Sequence, residues 1–233
     1  MKQKTNAMTK EKLIEKIKCQ VYKSRELIDG NGGFHIRRGM AHAISGYCED
    51  VFALYVAQYL NRTDLKFFVD KVISTRFPGN EKSTSFKPDL AIINENNVLT
   101  HYFDLKTNLG WNRKLENYLT EKDNFIRKLK NHNKAWVTSK RDWLKNVDDK
   151  GNEIKFNKTF KLDSRENITI SDDLEYHMVV VFGGNMNEED MIRNIDVANT
   201  LSCVRINVLY ENKQINNKAF ENIHMVLKPL LGT

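Results

Sequence analysis

Long apolar runs are what this chain most clearly lacks: none approaches the roughly 20 residues a membrane-spanning helix needs, so no membrane role is expected. The opening stretch, MKQKTNAMTKEK, is charged and is not followed by the apolar core of a secretory signal. The expectation is a cytoplasmic protein, and abundant Lys, Asn and Ile hint at an AT-rich bacterial genome. Cysteine is scarce as well. Cys19, Cys48 and Cys203 are odd in number and widely spaced, which fits neither a disulfide framework nor a zinc site. His35 and His42 show no metal-ligand spacing with each other or with Cys48. The glycine cluster Asp29-Gly-Asn-Gly-Gly33 lacks the Gly-Lys-Ser/Thr ending of a nucleotide-binding loop and reads as a flexible turn. No internal repeat or low-complexity linker divides the 233 residues, so residues 1–233 are expected to form one domain.

Charge is plentiful and unevenly placed. The chain is 40% hydrophobic and 29% charged, with a formal net charge of +7. Between Trp111 and Lys161 there are 14 Lys and Arg against 7 Asp and Glu, whereas the remainder holds 23 of each sign. A basic tract of this kind is either a solvated face or a docking surface for a polyanion. Its second half, a polar and lysine-rich stretch around 138–165, reads as an insertion.

The stretch that organises the chain is Phe86 to Trp111, FKPDLAIINENNVLTHYFDLKTNLGW. Leu90 to Ile93 is a short apolar run after a proline. Asn94 to Asn97 is a cluster of turn formers, and Val98 to Thr107 is again apolar, β-branched and aromatic. That pattern predicts a β-hairpin. Charged residues on such hydrophobic strands are costly unless they pair or hold an ion, yet Asp89 stands at the start of the first strand and Asp104 and Lys106 near the end of the second. Alternation puts Asp104 and Lys106 on one face. The antiparallel turn brings Asp89 beside them. Two converging carboxylates repel, and a hard oxygen-seeking cation such as Mg²⁺ relieves that repulsion, while a neighbouring lysine can orient or deprotonate a water molecule. The other reading is a surface hairpin with an Asp104/Lys106 ion pair and Asp89 as a turn cap.

Pro88-Asp89, then the fourteen residues 90–103, then Asp104-Leu-Lys106 resembles the catalytic motif of the PD-(D/E)xK nuclease superfamily, which includes most type II restriction endonucleases. The resemblance implies a restriction-endonuclease-like, three-layer α/β fold with a mixed central sheet flanked by helices. It implies Mg²⁺-dependent hydrolysis of double-stranded DNA, with Asp89 and Asp104 as metal ligands and Lys106 positioning water. A helix before the hairpin often supplies a further acid in that family. Ser45 to Leu60, SGYCEDVFALYVAQYL, is a strong helix with Ser45 as its expected cap, and Glu49 shares a face with Phe52, Ala53 and Val56. Glu49 is therefore the candidate catalytic and metal-binding carboxylate, with Asp50 the competitor and a simple helix-dipole role the alternative. Cutting both strands of a palindrome favours a homodimer.

Candidate DNA contacts are Arg37 and Arg38, by their planar forks, and Asn108, Trp111 and Arg113 in the turn after Lys106. Salt bridges or an ordinary loop would also account for them. Helices are expected over Thr9 to Leu27, with Thr9 as its cap, and over Leu115 to Lys130, Asn187 to Leu201 and Ala219 to Leu227. Further strands are expected over Lys66 to Ile73, Ala135 to Val137, Glu175 to Phe182 and Cys203 to Tyr210, with a polar loop, Gly79 to Ser85, leading into the hairpin. A structure-specific repair nuclease or junction resolvase would use the same centre. A DNA-binding or interaction module would use the same fold without catalysis.

Overall fold

A computed structural model describes residues 7–26, 44–109, 114–138, 165–184 and 187–231. The centre of the sheet is the expected hairpin, β4 (Leu90–Ile93) and β5 (Val98–Lys106). Both strands are built from residues that suit a buried pleated surface, and β4 is buried throughout. The turn is made by asparagine chemistry. Asn94 Oδ1 accepts from the backbone N–H groups of Asn96 and Val98, both at 3.0 Å, and Asn97 takes a left-handed φ of 58°. Replacing Asn94 by Ala removes both bonds, and a loss of about 1–2 kcal/mol is expected in chemical denaturation. Unchanged stability would show that the turn is held by its neighbours instead.

Around the hairpin the strands run β1 (Lys66–Val69), β2 (Ile73–Thr75), β3 (Thr84–Phe86), β6 (Ala135–Thr138), β7 (Arg165–Ile170), β8 (Tyr176–Phe182), β9 (Val204–Glu211) and β10 (Gln214–Ile215). The sheet order is β10-β9-β8-β5-β7-β6-β2-β3, with β4 joined to β5 and β1 to β4. It is mixed. β5–β8, β8–β9 and β5–β7 are parallel, whereas the hairpin and the β1–β4 and β6–β7 pairs are antiparallel. β7 and β8 follow one another along the same edge of β5, interrupted at residues 171–175.

Helices cover both faces, giving the three-layer arrangement expected of such patterning. On one face α1 (Lys10–Glu26), α2 (Ser45–Leu60) and α5 (Asn217–Leu227) bury Leu13, Ile17, Phe52, Val56, Phe220 and Ile223 against Phe103, Leu105, Val179 and Val181. On the other, α3 (Glu116–His132) and α4 (Glu188–Thr200) bury Leu119, Ile126, Met191 and Ala198 near Tyr102, Tyr176, Met178 and Val180. No helix among the described residues is long and apolar enough to cross a membrane.

Three local expectations are corrected. Lys66 to Ile73 is not one strand: Asp70 turns out of β1 with a left-handed φ of 52°, and the chain re-enters the sheet as β2. Ser45 does not cap α2, because Ile44 occupies the N-cap and Ser45 is already helical. The polar run before the hairpin, expected as loop, contains β3, paired to β2 through Ile73↔Phe86. Thr9 does act as expected at α1, where its hydroxyl accepts from Lys12 N–H at 3.3 Å.

Candidate active site

Register brings the three hairpin residues together. Leu90 pairs with Phe103 in antiparallel fashion, so the next residue outward on each strand, Asp89 and Asp104, face one another. Asp104 is only 7% exposed, and both of its carboxylate oxygens accept hydrogen bonds. Its Oδ1 accepts from Lys106 Nζ at 2.7 Å. Its Oδ2 accepts from the Tyr176 hydroxyl at 2.5 Å and from the Tyr118 hydroxyl at 2.8 Å. Asp89 Oδ2 accepts from the Leu105 backbone N–H at 2.6 Å, which fixes the first carboxylate to the second strand.

The two carboxyls ionise as a pair. Burial pushes Asp89 up to about 7, and the hydrogen bond and negative charge of Asp104 add to the rise against the opposing pull of Leu105 N–H and Lys106. For Asp104, burial works to raise the pKa, but the proton on Asp89, the Lys106 ammonium and the Tyr176 hydroxyl overcome it and hold the group well below the usual carboxylate range. One proton is thus shared between like charges that cannot both ionise cheaply. Burial and then Asp104 push Tyr176 upward, so the phenol stays a donor.

Glu49 enters from α2 at the end of the strands. Its carboxylate, with those of Asp70 and Asp89, forms a group whose ligand oxygens all lie within 4.8 Å of one another. Burial raises the Glu49 pKa, Asp70 raises it further, and Lys87 offsets part of the rise. Asp50 is exposed and stands outside this group, so of the two helix acids Glu49 is the one the fold brings to the site. Asp70 is a residue that the sequence pattern did not single out. It is placed by the break between β1 and β2, its backbone N–H donates to the Asp89 carbonyl at 3.3 Å, and its side chain pairs with Lys87 at 2.5 Å. Cys48, one residue before Glu49, is no nucleophile: burial pushes its thiol up to about 11.

No family model, curated protein or solved structure matches this chain. The site therefore rests on its own geometry.

The donor set suits a hard divalent cation, being all oxygen and gathering several carboxyl groups at one strand end. Asp89, Asp104 and Glu49 were the expected ligands. The structure groups Glu49 with Asp89 and adds Asp70, while Asp104 faces Asp89 across the hairpin and is braced by two tyrosines. Both tyrosines come from outside the hairpin. Tyr176 opens β8, and Tyr118 stands on α3, whose position is fixed by the buried Asp123 accepting from Cys203 N–H at 2.7 Å. The only sequence signals for them were an aromatic at the head of a buried strand and another in the first turns of a basic helix.

Of the expected DNA contacts, Asn108 is half-buried two residues past Lys106. Arg37, Arg38, Trp111 and Arg113 lie outside the described residues, as does most of the insertion around 138–165.

Proposed function

We propose that this chain is a Mg²⁺-dependent endonuclease that hydrolyses DNA phosphodiester bonds, and within that class a sequence-specific, type II restriction-like enzyme acting as a homodimer. The observation that carries the reading is the convergence of Asp89, Asp104 and Lys106 from the two hairpin strands with Glu49 from the preceding helix. Four side chains spread over nearly sixty positions meet at one strand end, in the order and types of the PD-(D/E)xK centre. Double-stranded DNA as the partner is supported by the basic tract that directly follows β5, and Arg37, Arg38, Asn108, Trp111 and Arg113 remain the candidate contacts.

Asp89, Asp104 and Glu49 would hold the Mg²⁺ ion, with Asp70 in reach. When bound, the ion supplies positive charge against the phosphorane and the leaving oxygen. The chain's own groups do the remaining work. Lys106, anchored through Asp104 yet more than a third exposed, presents its ammonium to a water poised for in-line attack. The Tyr118 and Tyr176 hydroxyls keep Asp104 from rotating. Leu105 N–H does the same for Asp89. Such fixed dipoles need no reorganisation as charge develops.

The test is incubation of purified protein with phage and plasmid DNA, with Mg²⁺ or with EDTA. Discrete fragments that require Mg²⁺ are expected. Cleavage confined to branched or flapped substrates would replace the restriction reading by a repair or resolvase one, and a shifted but uncut band would overturn hydrolysis.

A further inference from the structure

Behind the hairpin a second ammonium is held in a way that the catalytic motif does not explain. Lys122 stands one turn after Tyr118 on α3, and its Nζ lies 5.0 Å from the Tyr176 ring centroid, 5.3 Å from that of Tyr118 and 5.5 Å from that of Tyr102. It also donates to the Tyr102 hydroxyl at 3.4 Å. Two of these phenols are the ones that brace Asp104. The other cations of the site each hold a carboxylate, Lys106 that of Asp104 and Lys87 that of Asp70. Among the described residues Lys122 pairs with none, and it is half-buried.

A cation without a counter-ion, fixed over three aromatic faces, is oriented without being neutralised. Each face attracts the ammonium, and together they restrict a flexible four-carbon stem. Its field reaches the site. Burial lowers the Lys122 pKa, while Asp104 and Asp89 both act to raise it. Lys122 is held among these rings and not at the surface, where Glu121 and Lys128 of the same helix lie. The remaining partner class for such a group, beside a centre that handles phosphodiesters, is an anionic oxygen of the substrate.

We propose that Lys122 is a phosphate-binding residue, contacting a non-bridging oxygen of the DNA backbone at or next to the bond being cut and held ready for it by Tyr102, Tyr118 and Tyr176. This rests on reading the site as one for nucleic-acid phosphates, but not on the chemistry itself. It singles out one lysine of α3, where the motif assigns none and the basic composition of the tract supports DNA binding only as a whole.

The experiment is a fluorescence-anisotropy titration of a labelled 20-base-pair duplex, with Ca²⁺ in place of Mg²⁺, across a series of salt concentrations. Each phosphate contact contributes about 0.9 to the slope of log affinity against log salt. Lys122→Met is expected to weaken binding and flatten that slope by about one contact, and Lys122→Arg to restore it. An unchanged slope in Lys122→Met, whatever its affinity, would overturn the proposal. If Lys122→Met does not fold, acetylation of the unsubstituted protein decides: duplex DNA is expected to protect Lys122, and equal modification with and without DNA would overturn the contact. Neither readout depends on cleavage. Loss of hydrolysis with a flattened slope would leave a DNA-binding site, whereas cleavage with an unchanged slope would leave the nuclease and remove Lys122 from it.

Discussion

Replacing Asp104 by Asn, Asp89 by Ala or Lys106 by Ala is expected to cut the single-turnover cleavage rate by about 10²- to 10⁴-fold. The three losses have different physical origins. Asp104→Asn keeps the volume and the acceptor but removes the charge that Lys106 and two tyrosines converge on. Asp89→Ala removes one of the two carboxylates facing the strand end and leaves Leu105 N–H without its acceptor. Lys106→Ala leaves both acids in place and removes only the ammonium, so metal binding should survive while chemistry fails. Glu49→Gln should cost less, about 10- to 100-fold, because the amide keeps an oxygen at that position and Asp70 and Asp89 remain beside it. Circular dichroism and melting temperatures of each variant separate lost chemistry from lost folding. Variants that fold and cut plasmid DNA at the unsubstituted rate would dismiss the hairpin as a catalytic element.

The second large effect runs opposite to activity. Metal-free protein carrying Asp89→Asn is expected to be more stable than the unsubstituted chain at pH 8, by roughly 1–2 kcal/mol after solvent screening of this half-exposed group. For a chain of this length that is about 3–6 °C in melting temperature. The sign follows from the raised Asp89 pKa. In the native state the carboxyl keeps its proton up to about pH 7, whereas in the unfolded chain it ionises near 4. Native protein therefore binds the extra proton between those limits, and stability falls as pH rises from about 4 through 7. Asp104 acts in reverse, its native pKa being depressed, so its contribution is present above about pH 4 and is lost as pH falls further.

Asparagine at position 89 can donate to Asp104 at every pH, so the decline between pH 5 and 8 should flatten in the variant. Melting curves in EDTA at those two values check this. An Asp89→Asn protein with the same pH slope as its parent would mean that the carboxyl pair does not store the repulsion described. For the same reason, Mg²⁺ binding should release a proton near pH 7 and tighten as pH rises to that point. Stability given up at the pair is what a cation would recover.

How much of this could be read from the chain depends on where each signal resides. The hairpin was legible because its information is local: an asparagine turn between two apolar runs, with three charges out of pattern. Helix α2 and strand β8 were legible for the same reason, since a sixteen-residue apolar period and a seven-residue apolar run leave few alternatives. Helical facing pointed to Glu49 but left Asp50 as its competitor.

The parts that stayed hidden depend on contacts between distant segments. Asp70 sits inside KFFVDKVI, which alternates well enough to pass for one strand, and only a left-handed turn at that residue aims its carboxylate at Asp89. Tyr118 and Tyr176 are 58 residues apart, and their hydroxyls meet at Asp104 because α3 packs across β8 and β9. β3 and β10, of three and two residues, are too short to carry a period. β7, Arg-Glu-Asn-Ile-Thr-Ile, buries only Ile168 and Ile170, which is too weak a pattern beside a lysine-rich stretch to announce a strand.

The most direct measurement is the anomalous difference density of crystals grown with Mn²⁺. A peak bridging Asp89 and Asp104, with Glu49 or Asp70 completing the oxygen ligands at about 2.0–2.2 Å, as an octahedral ion of this size requires, is the predicted result. Asp89 and Asp104 turned apart with no peak between them, in protein that still binds Mn²⁺ elsewhere or not at all, would contradict the metal-centred account.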